Sequence, residues 1–484
     1  MSNAVAAPSK LSSRNSASLK KIRDLRGGVA QMRVMGRTYL PQETKESDAD
    51  YDNRLKRSWL FPGLDKAIED VADRVFAREV RFGEDVPPVI AELEADITAD
   101  GRNLNNFARD LFEDGVEAGL SFILVDMPRK DGEMTIAQER QANMRPYVTM
   151  VRAEQVLGWK TERIGGKTVL SQVRIMETAT EDGEDEFEQI EVPQVRVLQR
   201  SEGKVWGRLY REDDKGDWLM HEDFTVDMDE ISIVPFYTRR TGFFQGRPNF
   251  EGLADLNVAH WQSASDQRNI LHYARVPLLV ALGMSADDFT VAVNSSISTS
   301  RPKTEADVKW VEHEGKAIGA GRDDLKDLEQ SMRVLGLELM LPKTGNPTAT
   351  GEAIDAAKSQ TPLAQMANNL KESLERMAYF MGLYINLAGE FTVNVNTDYG
   401  LSLLNQADLT LLLQAVNTGQ LSRQTFLKEL IRRNVLMDDL DIDDEIERIK
   451  DEEPEPISLP LNLEDDDEDD EDEDDEDDEQ DEAA

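Results

Sequence analysis

No cysteine occurs in the 484 residues, so disulfides, thiolate metal ligands and cysteine nucleophiles are excluded together. This usage fits a reducing, intracellular setting. No apolar run reaches roughly 18 residues, and the first residues lack the apolar stretch of a secretory signal. Neither a membrane span nor a signal peptide is expected. Histidine is scarce: His221, His260, His272 and His313 are the only four, and none has metal-ligand spacing. His260 and His272 share one expected helix but stand about three turns apart, and all four read as polar or packing residues. Gly315-Lys316 has neither the upstream glycine nor the following hydroxyl of a phosphate loop, and G-x-G-x-x-G and H-E-x-x-H are missing as well. Aspartate pairs stand at Asp213-Asp214, Asp287-Asp288, Asp323-Asp324 and within Asp438–Asp444. A two-metal nuclease needs such carboxylates, but none of these ends a convincing core strand. No catalytic, cofactor or metal site is expected, and the chain does not read as an enzyme.

What is abundant is negative charge. The formal net charge is −41, and the 18 acidic residues among the 19 of Glu464–Glu482 account for 18 of those charges, leaving 23 for the rest. The opposite end is basic: Met1–Gln42 holds Lys10, Arg14, Lys20, Lys21, Arg23, Arg26, Arg33 and Arg37 against Asp24 alone. A body of this sign repels nucleic-acid phosphates rather than gripping them.

The length suggests about three domains. Residues 1–50, rich in Ser, Ala, Asn and charge, read as a flexible basic arm. Lys20–Arg26 there either touches DNA, anionic lipid or an acidic neighbour, or is simply solvated. Leu64, Ile68, Val71, Val75 and Phe76 predict a helix over Gly63–Phe76, and Leu104, Phe107, Leu111, Phe112, Val116 and Leu120 one over Asn103–Leu120. Ser121–Val125 reads as a buried strand. Tyr147–Val151, Val169–Ile175, Ile190–Val197 and Ile231–Phe236 are further strands, with hairpin strands in Arg200–Leu219. The acidic run Glu177–Glu188 reads as a solvated hairpin tip.

The stretch Glu251–Glu390 is the most distinctive. Ala254, Val258, Trp261, Ala264 and Leu271 predict a helix from Glu251 to about Ala274, stopped by Pro277. Its polar middle, Gln262–Asn269, marks it as more than a core helix of one globule. Leu278–Leu282 reads as a short buried strand, and Leu325, Leu328, Met332 and Leu335 predict a second helix from about Asp323 to Leu337. Pro342–Thr350 has loop composition. Thr361 then caps and Pro362 opens a helix whose Leu363, Ala367, Leu370, Leu374, Met377, Met381 and Tyr384 form a packing seam. On periodicity alone that seam is either an interface or one buried core helix. Phe391–Val395 is a possible strand, and helices are expected over Ala407–Val416, Arg423–Arg433 (capped by Ser422) and Ile442–Lys450. Pro454–Pro460 is linker, and the acidic run after it has too little apolar surface to fold.

This order of elements resembles the portal proteins, the head-to-tail connectors of tailed bacteriophages. Several phrases resemble them too: Tyr39-Leu40-Pro41 before Tyr51-x-x-Arg54-Leu55, Gly119–Pro128, Arg145-Pro146-Tyr147, Ala153–Trp159, Ser265–His272, Pro347–Leu363 and Gly419-Gln420-Leu421-Ser422. The resemblance covers residues 39–450. It implies an α+β ring subunit: a wing at 51–250, stem helices at 251–276 and 321–341, and a small clip at 277–320. A tunnel loop follows at 342–350, a long kinked helix and strand at 351–400, a helical crown at 401–453 and a disordered tail at 454–484.

By the same resemblance, Trp261, Arg268, Leu271, Leu328 and Met332 belong to the stem or its interfaces, and Lys343, Thr344, Gly345 and Asn346 face DNA in the channel. It implies a homo-oligomeric twelve-membered ring at one capsid vertex, a conduit for double-stranded DNA. The partners implied are the terminase large subunit, the major capsid and scaffold proteins and a head-completion adaptor, with no membrane. The protein would reside in the virion, and in the host cytoplasm during assembly. Two other classes compete: an acidic nucleic-acid mimic or chaperone-like binding protein, and a metal-dependent nuclease.

Overall fold

An apolar run with no polar alternation makes a strand that must be covered on both faces. Leu120–Asp126 is such a strand, and the larger part of the fold is arranged about it. In the computed structural model the described residues are 3–129, 142, 144–183, 185, 187–213, 215–275, 278–282, 307–311, 316–337, 361–387, 389–397, 406–432, 436 and 440–451. The chain is α+β and divides into two compact units, Met1–Gly400 and Leu401–Ala484.

In the first unit α1 (Lys10–Arg26), α2 (Gly28–Met35), α3 (Asp48–Arg57) and α4 (Gly63–Val75) precede β1 (Arg81–Phe82). Next come α5 (Pro88–Ala91), α6 (Leu104–Ala118), β2 (Leu120–Asp126) and β3 (Tyr147–Arg152). An antiparallel meander follows: β4 (Val156–Ile164), β5 (Lys167–Asp182), β6 (Gln189–Ser201), β7 (Lys204–Glu212) and β8 (Trp218–Val226). After β9 (Ile233–Tyr237), β10 (Arg240–Gly242) and β11 (Gln245–Gly246) come α7 (Glu251–Ala274), β12 (Leu278–Leu282) and β13 (Asp307–Val311). The unit closes with α8 (Lys316–Leu337), α9 (Pro362–Tyr384) and β14 (Val393–Asn394). Among the described residues the second unit holds α10 (Gln406–Asn417), α11 (Arg423–Arg432) and α12 (Ile442–Asp451). Ser422 caps α11 as expected, its Oγ accepting from Thr425 N at 3.1 Å.

β2 is the middle strand of a three-stranded antiparallel sheet, β3-β2-β9. Because side chains alternate along a strand, Leu120, Phe122 and Leu124 enter one apolar cluster with Val173, Ile175 and Leu198 of the meander. Ile123 and Val125 enter a second, built with α4, α6, α7 and α9. Phe122 meets Phe244 edge-on, ring centroids 4.7 Å apart. Each such buried side chain stabilises the fold by about 1.5–3 kcal/mol. α6 delivers the chain into β2 through Gly119, whose φ of +78° is left-handed. A Cβ there would also lie 2.2 Å from the Arg247 carbonyl oxygen, so only glycine fits.

Two boundaries differ from expectation for clear reasons. α8 starts at Lys316 rather than near Asp323. Gly321 lets it approach α7 so closely that a Cβ would sit 2.3 Å from Gln267 Oε1, and Gln267 Nε2 donates to Ile318 O at 2.8 Å. β5 runs to Asp182, so Glu177–Asp182 is strand, and only Gly183–Glu188 is the hairpin tip. The alternation of Thr178 and Thr180 with charge suits an exposed strand. The expected kink before α9 and the disordered tail lie outside the described residues.

The expected flexible arm at 1–50 is instead part of the fold. Ser9 caps α1, its Oγ accepting from Ser12 N at 3.2 Å, and Leu19, Ile22 and Leu25 are buried. The basic cluster is engaged by carboxylates. Arg23 donates to Asp114 at 2.5 Å, to Glu154 at 2.9 Å and to Glu117. Arg26 donates to Glu117 at 2.7 Å, Asp65 at 2.8 Å and Glu113 at 3.2 Å. Asp114 and Glu117 stand three apart on the buried side of α6, each about 5 % exposed, so they require cations. Burial pushes both carboxyls above the ordinary range, against the pull of the guanidiniums. Burial alone would lower Arg23, but Asp114, Glu117 and Glu154 hold its pKa above the ordinary value.

Replacing Arg23 by Ala should therefore cost about 3 kcal/mol in urea unfolding, as when one partner of a buried pair is removed. A carboxyl whose folded pKa is raised favours folding below its unfolded pKa and loses that advantage as pH rises through the folded one. The Arg23→Ala deficit should accordingly shrink as pH falls toward the unfolded carboxyl pKa of about 4. A pH-independent loss below about 1 kcal/mol would contradict the role given to this clasp.

Candidate functional site

α7 starts at Glu251, and its polar and apolar faces are sorted by what the rest of the chain needs. The apolar side carries Leu253, Ala254, Trp261 and Ala264, all buried. α8 packs antiparallel to it: Ser263 Oγ donates to Asp324 Oδ2 at 2.6 Å, and Gln267 reaches Ile318 further along. α4 closes the seam, with Gly63 beside Met332 and Ala67 beside Gly336.

The polar middle of α7 meets its own chain. Asn257, 1 % exposed, accepts from Leu64 N and donates to Phe61 O, both at 3.0 Å. It thereby caps the start of α4, where Pro62 supplies no side-chain cap. Gln262 Nε2 donates to Tyr39 O at 2.8 Å, Ser265 and Ser58 join their hydroxyls at 3.0 Å, and Arg57 donates to Asn269 at 2.8 Å. The run Gln262–Asn269 thus satisfies polar groups of the chain around α3, and part of its polarity is accounted for within this chain.

The five sequence-selected stem residues separate accordingly. Trp261 and Met332 fall in the same core cluster, fully buried by the chain's own elements. Leu271 and Leu328 are half-buried, and Arg268 is exposed. Arg268 lies 5.8 Å above the Trp59 ring and donates to Arg57 O at 3.3 Å. Lys343, Thr344, Gly345 and Asn346 lie outside the described residues. Among the described residues, no group of three or more His, Asp or Glu is placed to hold a metal ion. No described helix is long and apolar enough to cross a membrane.

His260 is a packing residue, as read from the sequence, but one fully enclosed by aromatic rings. It is 1 % exposed, with the Phe61 ring at 5.2 Å, the Trp59 ring at 6.1 Å and Glu329 Oε1 of α8 3.5 Å from Nε2. Neither ring nitrogen makes a well-formed hydrogen bond, nor does Trp261 Nε1. Burial lowers the imidazole pKa, and Glu329 only partly opposes it. Its place on the apolar side, one residue before Trp261, was the available signal.

A family model described as a domain of unknown function (DUF4055) matches residues 249–385, the stretch from just before α7 to just after α9. No curated protein matches the chain. Among solved structures it is similar to a chain titled "Neck of empty GTA particle computed with C6 symmetry": 11% identity, 77% of this chain and 90% of that one covered, TM-score 0.39. A second is titled "Neck of native GTA particle computed with C12 symmetry", with 10% identity, 82% and 98% covered and TM-score 0.38. A third comes from the virion of a native gene transfer agent (GTA) particle, with 12% identity, 83% and 98% covered and TM-score 0.38.

A buried imidazole with a depressed pKa contributes stability above its unfolded pKa of about 6.5 and loses it as pH falls toward the folded value. His260→Phe, which removes the ionisable ring, should therefore flatten the fall in urea stability on acidification below about pH 6.5. An unchanged pH profile in the variant would show that His260 is not buried as an uncharged ring.

Proposed function

We propose that this chain is a portal-type subunit: a ring at one vertex of a phage-like particle, through whose bore double-stranded DNA passes. The observation that carries the reading is the sequence of parts in residues 249–385. Helix α7, a two-stranded insert (β12 against β13), the antiparallel return α8 and the Thr361-capped α9 follow one another in that order. The phrases at Ser265–His272 and Pro347–Leu363 fall inside this stretch.

Charge supports the same reading. Arg23 and Arg26 are engaged by carboxylates of the chain itself, so these two cations offer little to phosphates. Twelve copies at −41 each would carry about −490, which favours sliding of DNA over retention. The alternative of an acidic binding protein accounts for the tail but gives the folded first unit no task. In the proposed ring the loop Lys343, Thr344, Gly345 and Asn346 faces the bore, with Lys343 the only cation of Pro342–Thr350. Terminase, capsid, scaffold and head-completion proteins dock on the ring in the virion, and ATP hydrolysis belongs to the separate packaging motor.

Lys343→Glu should leave folding and assembly unchanged, because an exposed loop charge affects stability by less than about 0.5 kcal/mol. It should alter the DNA content of particles assembled with it. Normal DNA content in particles built with the variant, or a block in ring assembly itself, would remove the loop from the channel.

A further inference from the structure

The β5–β6 hairpin outgrows its sheet. β4 last pairs with β5 at Val156↔Ile175, and β7 last pairs with β6 at Arg211↔Gln194. Beyond those points Thr178–Asp182 and Gln189–Pro193 pair only with each other. A free two-stranded ribbon is marginally stable in water and gains from a partner. Its tip is formed: Gly183 N donates to Glu188 O at 2.7 Å, and Phe187 N to Asp185 Oδ1 at 3.0 Å. That turn presents Phe187 at 86% exposure, with Ile190 at 45% beside it. Glu181, Asp182, Asp185, Glu188 and Glu191 surround this apolar tip with negative charge.

The other end of β5 carries a complementary surface. An open groove of about 410 Å³ lies between the start of β5 and α9, with Leu170, Ile233, Phe243, Phe244 and Phe380 in its wall. Lys167 stands at its rim, and Arg163 lies one residue pair away across the β4–β5 hairpin. Both cations are exposed, and neither has a carboxylate partner among the described residues.

We infer that the groove receives the Phe187 tip of a second copy of this chain. The exposed cations at the rim oppose the acidic tip, Glu230 of the groove being already paired with Arg376, and an aromatic side chain otherwise left in water packs against an aromatic-lined wall. Donor and acceptor stand at opposite ends of β5, whose sixteen residues span about 50 Å. One chain cannot satisfy both, so the contact is head-to-tail. Heterologous contacts of that kind give rings where the rotation closes and open filaments where it does not. The inference rests on the ring reading above and assigns one of its contacts.

The chain has no cysteine, which makes disulfide trapping clean. Phe187→Cys combined with Thr168→Cys should give, on mild oxidation of the assembled protein, a covalent ladder beyond dimers. The two positions are too far apart within one chain to bridge, and either single variant can form dimers at most. Phe187→Asp, at an exposed position, should weaken self-association at least about tenfold while leaving the unfolding midpoint unchanged. An assembled oligomer in which the double variant gives no ladder, and Phe187→Asp associates like the parent, overturns this contact and leaves the ring reading standing. A parent protein that stays monomeric at all concentrations overturns both.

Discussion

Leu120, Phe122 and Leu124 on one face of β2, and Ile123 and Val125 on the other, are withdrawn from water by two different sets of elements. The meander covers the first face and the helices α6 and α9 help to cover the second. Neither set alone could bury the strand, so the two cores are coupled through it. Everything with functional interest hangs from one side or the other. The ribbon and its groove are extensions of the meander, whereas α7 and α8 pack on the helical side through α4. A strand register shifted by one residue would exchange the two faces and mismatch both cores.

Charge is the second organising constraint. The body is acidic, yet its inner carboxylates are compensated by the chain's own cations: those of α6 by Arg23 and Arg26 of α1, and Asp126 and Glu177 by Arg196, at 2.6 Å from each. Guanidinium suits this, since one planar group serves two or three carboxylates at once. Arg23, Arg26 and Arg196 are engaged inside, and the chain as a whole keeps its negative excess. For a conduit that is the useful arrangement, because a bore that held phosphates would stall what passes through it.

Much of the central helical stretch was readable from local signals. Periodicity with a following Pro277 bounded α7, and Thr361-Pro362 marked the start of α9 by a cap and a preset φ. What escaped was long-range. Leu19, Ile22 and Leu25 of α1 are diluted by serine and charge, and the carboxylates that hold it lie some ninety residues away in α6. Asp114 and Glu117 on the otherwise mainly apolar buried side of α6 were the available clue that cations had to arrive. The polar middle of α7 has partners just as distant in sequence, among them the Tyr39 and Arg57 carbonyls and the Ser58 hydroxyl, which no local pattern reveals. Glu177–Asp182 read as loop by composition, but ladder hydrogen bonds are indifferent to side-chain charge on an exposed ribbon.

The central claim is that many copies of this chain close around a hole. Negative-stain imaging of the purified full-length protein tests it most directly. The account predicts annular particles of uniform diameter with a stain-filled centre. Compact particles without a central hole, of the size of one or two chains at every concentration, would contradict it.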